Sequence, residues 1–383
     1  ALPIWVSIEM RLVMKVGSLQ ENDQQKGGAH FLEHMSFSGA KHFPQDAWVD
    51  YFERLGMKYG RDINAFTGFD RTIYWLSLPV ADFGTQVMDS TLLAVRDILD
   101  GVSFEPQLVE QERGVIKEEL RGYSTGDDFY NLKIGDGRYI QRMPLGTEQD
   151  IETISRNQLL NYYHQWYLPQ NACLVVVGNV DAQDMQKRIQ DTFSSIAKGQ
   201  PTPLGKYPLT YKKGITLHEV KDTVGTSSKL EFIIPHEGVV GNTIASTALK
   251  EQYRLLIAAI SKRLAARGIR CDISDAWYLA TQNHFSFSVE GKGKQELKEK
   301  MTQVLGAFAD ITKKGFGKEE LADYVTEKVN RMKADTIGFQ SGKWCDDFVD
   351  YIISGDRYVA WDEDMEKVQL LVSNTSSSQL QKL

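Results

Sequence analysis

The stretch Gly27-Gly28-Ala29-His30-Phe31-Leu32-Glu33-His34-Met35 is the most informative in the chain. Two histidines stand four apart, with a carboxylate just before the second. On an α-helix, positions i and i+4 share one face about one turn apart, so the two imidazoles can converge on one metal ion. Glu33 falls about 60° around the helix from His30, on the side away from His34, and borders the same site. Two neutral imidazoles suit zinc, and a catalytic zinc takes three protein ligands and keeps one position open. A nearby carboxylate that is not a ligand can take a proton from water. Histidine is scarce, seven residues in 383. That weighs against a buried helix that merely carries two of them.

The missing third ligand has candidates further on. Pro106 starts a helix that runs to about Leu120. On a helical wheel Leu108, Val109, Val115, Ile116 and Leu120 form one stripe about 140° wide. Glu112 and Glu119 lie in the middle of it, about 20° apart, while Glu118 falls on the polar side. Two carboxylates centred on an apolar face are expensive to bury unless paired or bound to a cation. The wheel therefore selects Glu119 or Glu112 over Glu118. The competing reading pairs both with an Arg or Lys from another element.

Composition sets the frame. The chain is 42% hydrophobic and 25% charged, as in soluble globular proteins. No apolar run approaches the roughly 18 residues of a membrane span. A net charge of −7 argues against a nucleic-acid-binding surface as the main function. Cys173, Cys271 and Cys345 are far apart and form no C-x-x-C pair, so they offer no second metal site. The first residues have no basic n-region, which excludes a signal peptide at this point and suggests a mature or trimmed form.

Periodicity predicts strands within 4–17 and at 57–60, 71–78, 171–180, 214–220, 228–234 and 284–289. It predicts helices at 46–56, 84–99, 106–120, 148–163, 182–197, 246–266, 294–313 and 318–335, besides the motif helix, which starts near Gly27 and ends before Ser38-Gly39. The clearest linker composition is Lys198 to Gly205. The expected architecture is α+β, with two related domains, each a mostly antiparallel sheet with helices packed on it. A first domain at 1–200 carries the metal motif, 201–209 is the linker, and 210–383 is a second, non-catalytic domain. In the latter His236 and His284 are isolated, and Arg267, Arg270 and Tyr278 read as packing or solubility residues.

Several pieces taken in order resemble the pitrilysin/insulinase family of zinc peptidases, which carries the inverted H-x-x-E-H motif. They are Gly17 to Glu21, His30 to Met35 with Gly39, Asn64-Ala65-Phe66-Thr67, Glu112 to Glu119, Pro144-Leu145-Gly146, and the strand Val175 to Val180. The resemblance implies zinc held by His30, His34 and Glu119, with Glu33 as general base and Glu112 orienting the site from outside the ligand set. It implies that Asn64 and Ala65 line a groove where a peptide adds as a strand. It further implies a second homologous half, fused, separate or a second copy of the chain, and a location in the bacterial periplasm or outside the cell.

Three departures stand out. The family's opening hairpin is reduced to a short apolar piece, the segment from Gly122 to Pro144 is short, and Ser373 to Leu383 is polar where a strand is expected. The Arg and Tyr that the family's partner half supplies to substrate have no convincing equivalent. The expectation is the catalytic half of a zinc endopeptidase acting on peptides or unfolded segments. The alternative is a non-catalytic scaffold half, against which Glu33 stands.

Overall fold

The computed structural model describes residues 7–45, 47–79, 85–122, 137–200, 202–211, 213–219, 227–239, 243–279, 282–335, 341–355 and 363–383. The chain divides into two compact units. The first is Ala1–His218 with Phe339–Ile353, and the second is Glu219–Gly338 with Ser354–Leu383.

The first unit is built on a four-stranded antiparallel sheet of β1 (Ser7–Met14), β2 (Ile63–Thr67), β3 (Thr72–Pro79) and β4 (Ala172–Val177), in the order β2-β3-β1-β4. Alternation along the strands sorts their side chains onto two faces. Met10, Leu12 and Met14 of β1 and Tyr74, Leu76 and Leu78 of β3 point into the main core. There they meet the helices α1 (Gly28–Ser38), α2 (Ala47–Arg54), α3 (Thr85–Asp100) and α4 (Pro106–Gly122). The short helices α5 (Arg138–Gln141) and α6 (Glu148–Thr153) follow, then α7 (Arg156–Trp166) and α8 (Ala182–Phe193). α1 is buried nearly all round and lies against β2, α4 and α7. The metal motif therefore sits on the most deeply embedded helix of the unit.

The other face of β1 carries Glu9, Arg11 and Val13, all buried. Their cover comes from α12 (Ser341–Ser354), which packs Cys345, Phe348 and Val349 against Val13, Cys173 and Val175. Arg11 bonds Glu9 at 2.9 Å and Asp346 at 3.2 Å, and Ser77 donates to Glu9 at 2.6 Å. Charged residues on this face are tolerable because they are paired beneath a helix. The helix that covers them lies within the stretch 210–383 that the sequence assigns to the second domain, so the division in the structure is not a single cut at the linker.

The second unit holds a three-stranded antiparallel sheet, β5 (Ser228–Glu237), β7 (Gln282–Gly291) and β6 (Asp272–Leu279) in that order. It is packed by α9 (Ile244–Ala266), α10 (Lys294–Lys314), α11 (Lys318–Asp335) and α13 (Glu363–Ser373), with α14 (Ser377–Leu380) last. Each unit is thus an antiparallel sheet with helices on it.

Local departures from the expected elements have physical reasons. Residues 57–60 form no strand. Lys58 N–H is capped by the Asp62 carboxylate, Gly60 takes φ +81, and the strand forms one step later as β2. The helix expected at 148–163 is two, because Thr147 and Ser155 each begin a capping box, with Asp150 and Gln158 as the third residues. Residues 214–219 are irregular and leave Ile215 and Leu217 exposed. The polar end contains the turn of helix α14, not a strand. Most of the short segment between Gly122 and Pro144 lies outside the described residues.

Candidate metal centre

α1 is preceded by its cap residue Gly27, whose φ of +75 and neighbour Ile151, 2.6 Å from where a Cβ would sit, admit only glycine without strain. From the first turn onward the helix presents His30, Glu33 and His34 toward α4. His30 Nε2 lies 3.6 Å and His34 Nε2 3.3 Å from Glu119 Oε2. The three donor atoms are all within 4.8 Å of one another, and among the described residues no other group of three or more His, Cys, Asp or Glu donors converges in this way. Ligands about 2.0–2.1 Å from a tetrahedral ion stand about 3.3 Å apart. The two contacts to Glu119 match that spacing, and two imidazoles with one carboxylate are a donor set that zinc accepts.

Glu112 takes the other side of His34. Its Oε2 lies 3.3 Å from His34 Nδ1, the contact that fixes a ligating imidazole's tautomer and turns its Nε2 to the metal. Glu118, which the wheel excludes, is exposed and paired with Arg121 one turn on. The wheel errs at Val115, which is half-exposed, whereas Val109 and Ile116 are buried. Arg113 of α4 donates to the carbonyls of Ile151 and Ile154 and stacks on Phe31 of α1, fastening the two helices to α6.

Without a metal, the electrostatics of the centre are divided. Burial, and then the neighbouring His34, push His30 down to about 4 against the pull of Glu119. Burial pulls His34 down as well, but hydrogen bonds to Glu112 and Glu119 outweigh it and lift the imidazole to about 9. Glu119 is held below the ordinary carboxylate value, chiefly by His34. One imidazole is thus neutral and the other holds a proton between two carboxylates. Glu33 is buried and pushed up to about 7 by that burial, against a hydrogen bond from Thr67. Thr67 Oγ1 donates to Glu33 Oε2 at 2.5 Å.

Thr67 is a residue that the sequence motif by itself does not single out. Period-two alternation puts it on the same face of β2 as Ala65 and Ile63, toward α1, and that signal could have singled it out. Tyr59, half-exposed, also borders the centre without being marked by the motif: desolvation of its inner side, then Glu33, Glu112 and Glu119, push its phenol up to about 12, and its ring meets Phe37 edge-on. Asn64 and Ala65 are not brought into the donor cluster. The Asn64 amide is used locally, accepting from Ala65 N–H and donating to Gly60 O. β2 is nonetheless an edge strand of its sheet.

Comparison with known proteins gives this geometry a family. The sequence profile of the insulinase family, peptidase family M16, matches residues 6–129, and that of the M16 inactive domain matches 153–259. Every residue of the centre lies in the first match. The chain is 28% identical over 402 residues to "Probable zinc protease PqqL" of Haemophilus influenzae, covering 98% of the chain and 42% of that protein. It is 25% identical over 338 residues to its Escherichia coli namesake, covering 85% and 36%. It therefore spans less than half the length of these curated relatives. Among solved structures, the first half of the periplasmic protease PqqL from Escherichia coli superposes with a TM-score of 0.90 at 22% identity, covering 98% of this chain and 83% of that one. Pitrilysin superposes with a TM-score of 0.68 at 17% identity, covering 98% and 41%. The folds agree with the expectation from sequence, and the chain belongs to the M16, or insulinase, family of peptidases.

Proposed function

We propose that this chain is the catalytic half of a zinc endopeptidase. The observation that carries the proposal is the meeting of His30, His34 and Glu119 donor atoms within 4.8 Å of one another, with the buried Glu33 on the helix of the two histidines. When bound, zinc supplies Lewis-acid polarisation of the scissile carbonyl and lowers the pKa of a water. His30 and His34 would hold the ion through Nε2, and Glu119 through a carboxylate oxygen. Glu112 keeps the His34 ring oriented. Glu33 accepts a proton from the attacking water as the new C–O bond forms, then delivers it to the leaving amine as the C–N bond breaks. Burial holds Glu33 at about 7 in the metal-free protein, and a bound dication would lower that value toward one at which the group is ionised and ready to take the proton.

The substrate is a peptide or an unfolded segment, docked as an added strand on the free edge of β2 beside Asn64 and Ala65. A second homologous half, in the same chain or another, completes the groove, in keeping with the share of the relatives' length that this chain spans. The periplasm is the proposed location, from the description of the PqqL structure. A non-catalytic role is the other reading, since the inactive-domain profile matches part of the chain. That match lies outside the centre, and a scaffold has no use for a base beside the donor cluster.

The test is zinc content and hydrolysis of a long quenched-fluorescence peptide by the wild type and Glu33→Gln. The variant should keep its zinc and lose nearly all activity. A variant with full activity, or a wild type that binds no zinc, would overturn the proposal.

A further inference from the structure

Glu21 is fully buried. Its carboxyl group is aimed at the start of α1. Oε2 accepts the N–H of Gly27 at 3.1 Å and Oε1 accepts that of Ala29 at 2.9 Å. These are donors that a helix leaves unpaired at its N-terminus. They are ordinarily satisfied by a Ser, Thr, Asp or Asn at the cap position itself. That solution is closed here, because the cap residue must be glycine for the reasons of φ and space given above. The cap is supplied from six residues earlier instead.

The segment that delivers it is itself fastened. Arg142 Nε donates to the Glu21 carbonyl at 3.0 Å, Arg138 donates to the same oxygen at 2.9 Å, and Arg138 Nε donates to Leu19 O at 2.9 Å. Ser18 Oγ donates to Arg142 O at 2.6 Å. Ala29 is the residue immediately before His30, so the carboxyl grips the backbone one residue from the first donor of the centre.

We infer that Glu21 is a positioning residue for the metal centre: by bridging the Gly27 and Ala29 amides it fixes the first turn of α1 and hence the aim of His30. This rests on the zinc-site reading above. Glutamine at position 21 has one acceptor oxygen and one donor nitrogen. It can satisfy only one of the two amides and repels the other, while keeping the shape of the side chain.

The experiment compares wild type and Glu21→Gln by zinc affinity, in competition with a chromophoric chelator, and by the visible spectrum of the cobalt-loaded protein. The melting temperature of the metal-free proteins is measured alongside. The expected result is a folded variant with zinc affinity lowered about 10-fold or more and an altered cobalt spectrum. Zinc affinity within twofold of wild type and an unchanged spectrum would overturn the inference, even if the melting temperature fell, because a cap that only stabilises would do that. Should Glu21→Gln fail to fold, hydrogen exchange of metal-free wild type decides. The Gly27 and Ala29 amides should be protected before any metal arrives, and exchange at the rate of exposed amides would overturn the inference. A wild type that binds neither zinc nor cobalt would refute the metal site itself, which is a separate outcome.

Discussion

Thr67→Val isolates the hydrogen bond that holds the proposed base. Both groups are buried, and the 2.5 Å contact from Thr67 Oγ1 to Glu33 Oε2 favours the ionised carboxylate. Valine keeps the shape and removes the donor. A hydrogen bond to a charged group is worth about 1.5–3 kcal/mol, or about one to two pKa units. Glu33 already stands at about 7 in the metal-free protein. A further rise of that size cuts its ionised fraction at pH 7 from about half to about 1–10%. A bound dication lowers the value in both proteins but leaves the difference. The prediction is therefore an acid limb of the kcat/KM profile moved up by about one to two units, so that the variant loses up to about 10–100-fold below the wild-type limb and recovers progressively as the pH is raised. Thr67→Ser, which keeps the hydroxyl, should follow the wild type. The assay is kcat/KM for a quenched-fluorescence peptide from pH 6 to 9 with zinc-loaded protein. An acid limb that does not move, or a loss that is the same at every pH, would refute the assignment of Thr67 to Glu33.

Three further outcomes rest on the same geometry. His34, lifted to about 9 in the metal-free protein, must lose its proton to bind zinc, whereas His30, pushed down to about 4, has none to lose. Zinc binding at pH 8 should thus release about one proton, and affinity should weaken as the pH falls from about 9. Calorimetry in buffers of different ionisation enthalpy measures this, and a release near zero would contradict it. In the same metal-free protein the raised His34 contributes stability that is full below its ordinary value of 6.5 and is lost as the pH rises through about 9. On the outer face of the sheet, Arg11→Leu should cost about 3–5 kcal/mol in urea denaturation, because it leaves Glu9 buried without its cation. A loss below about 1 kcal/mol would mean that Ser7 and Ser77 suffice for Glu9.

What could be read from the sequence was what a single helix or strand decides by itself. The spacing of His30, Glu33 and His34 is a local fact of one helix, and so is the choice of Glu112 and Glu119 over Glu118. What could not be read depends on partners distant in the chain. The face of β1 with Glu9 and Arg11 looks like a loose alternation until a helix more than 300 residues later covers it. Thr67 gains its meaning only from Glu33 on another element. The break at Ile154 was a different case, since Thr147-x-x-Asp150 and Ser155-x-x-Gln158 are local signals that the apolar periodicity overrode.

The two glutamates of α4 show why the centre can hold its shape before a metal is bound. Carboxylates on an apolar helix face require a cation. In the metal-free protein the proton on His34 supplies that charge between Glu112 on one ring nitrogen and Glu119 on the other. A zinc ion held as proposed would take the place of the proton on the Nε2 side while Glu112 keeps Nδ1, so one acidic contact would be exchanged and the other would persist. The side chains that would meet the ion are already ordered by their own charges, and ordering them costs little at the moment of binding. This division of labour also accounts for the seven-residue spacing, about two helical turns. It places one carboxylate behind the imidazole and one in front, on a single face of one helix.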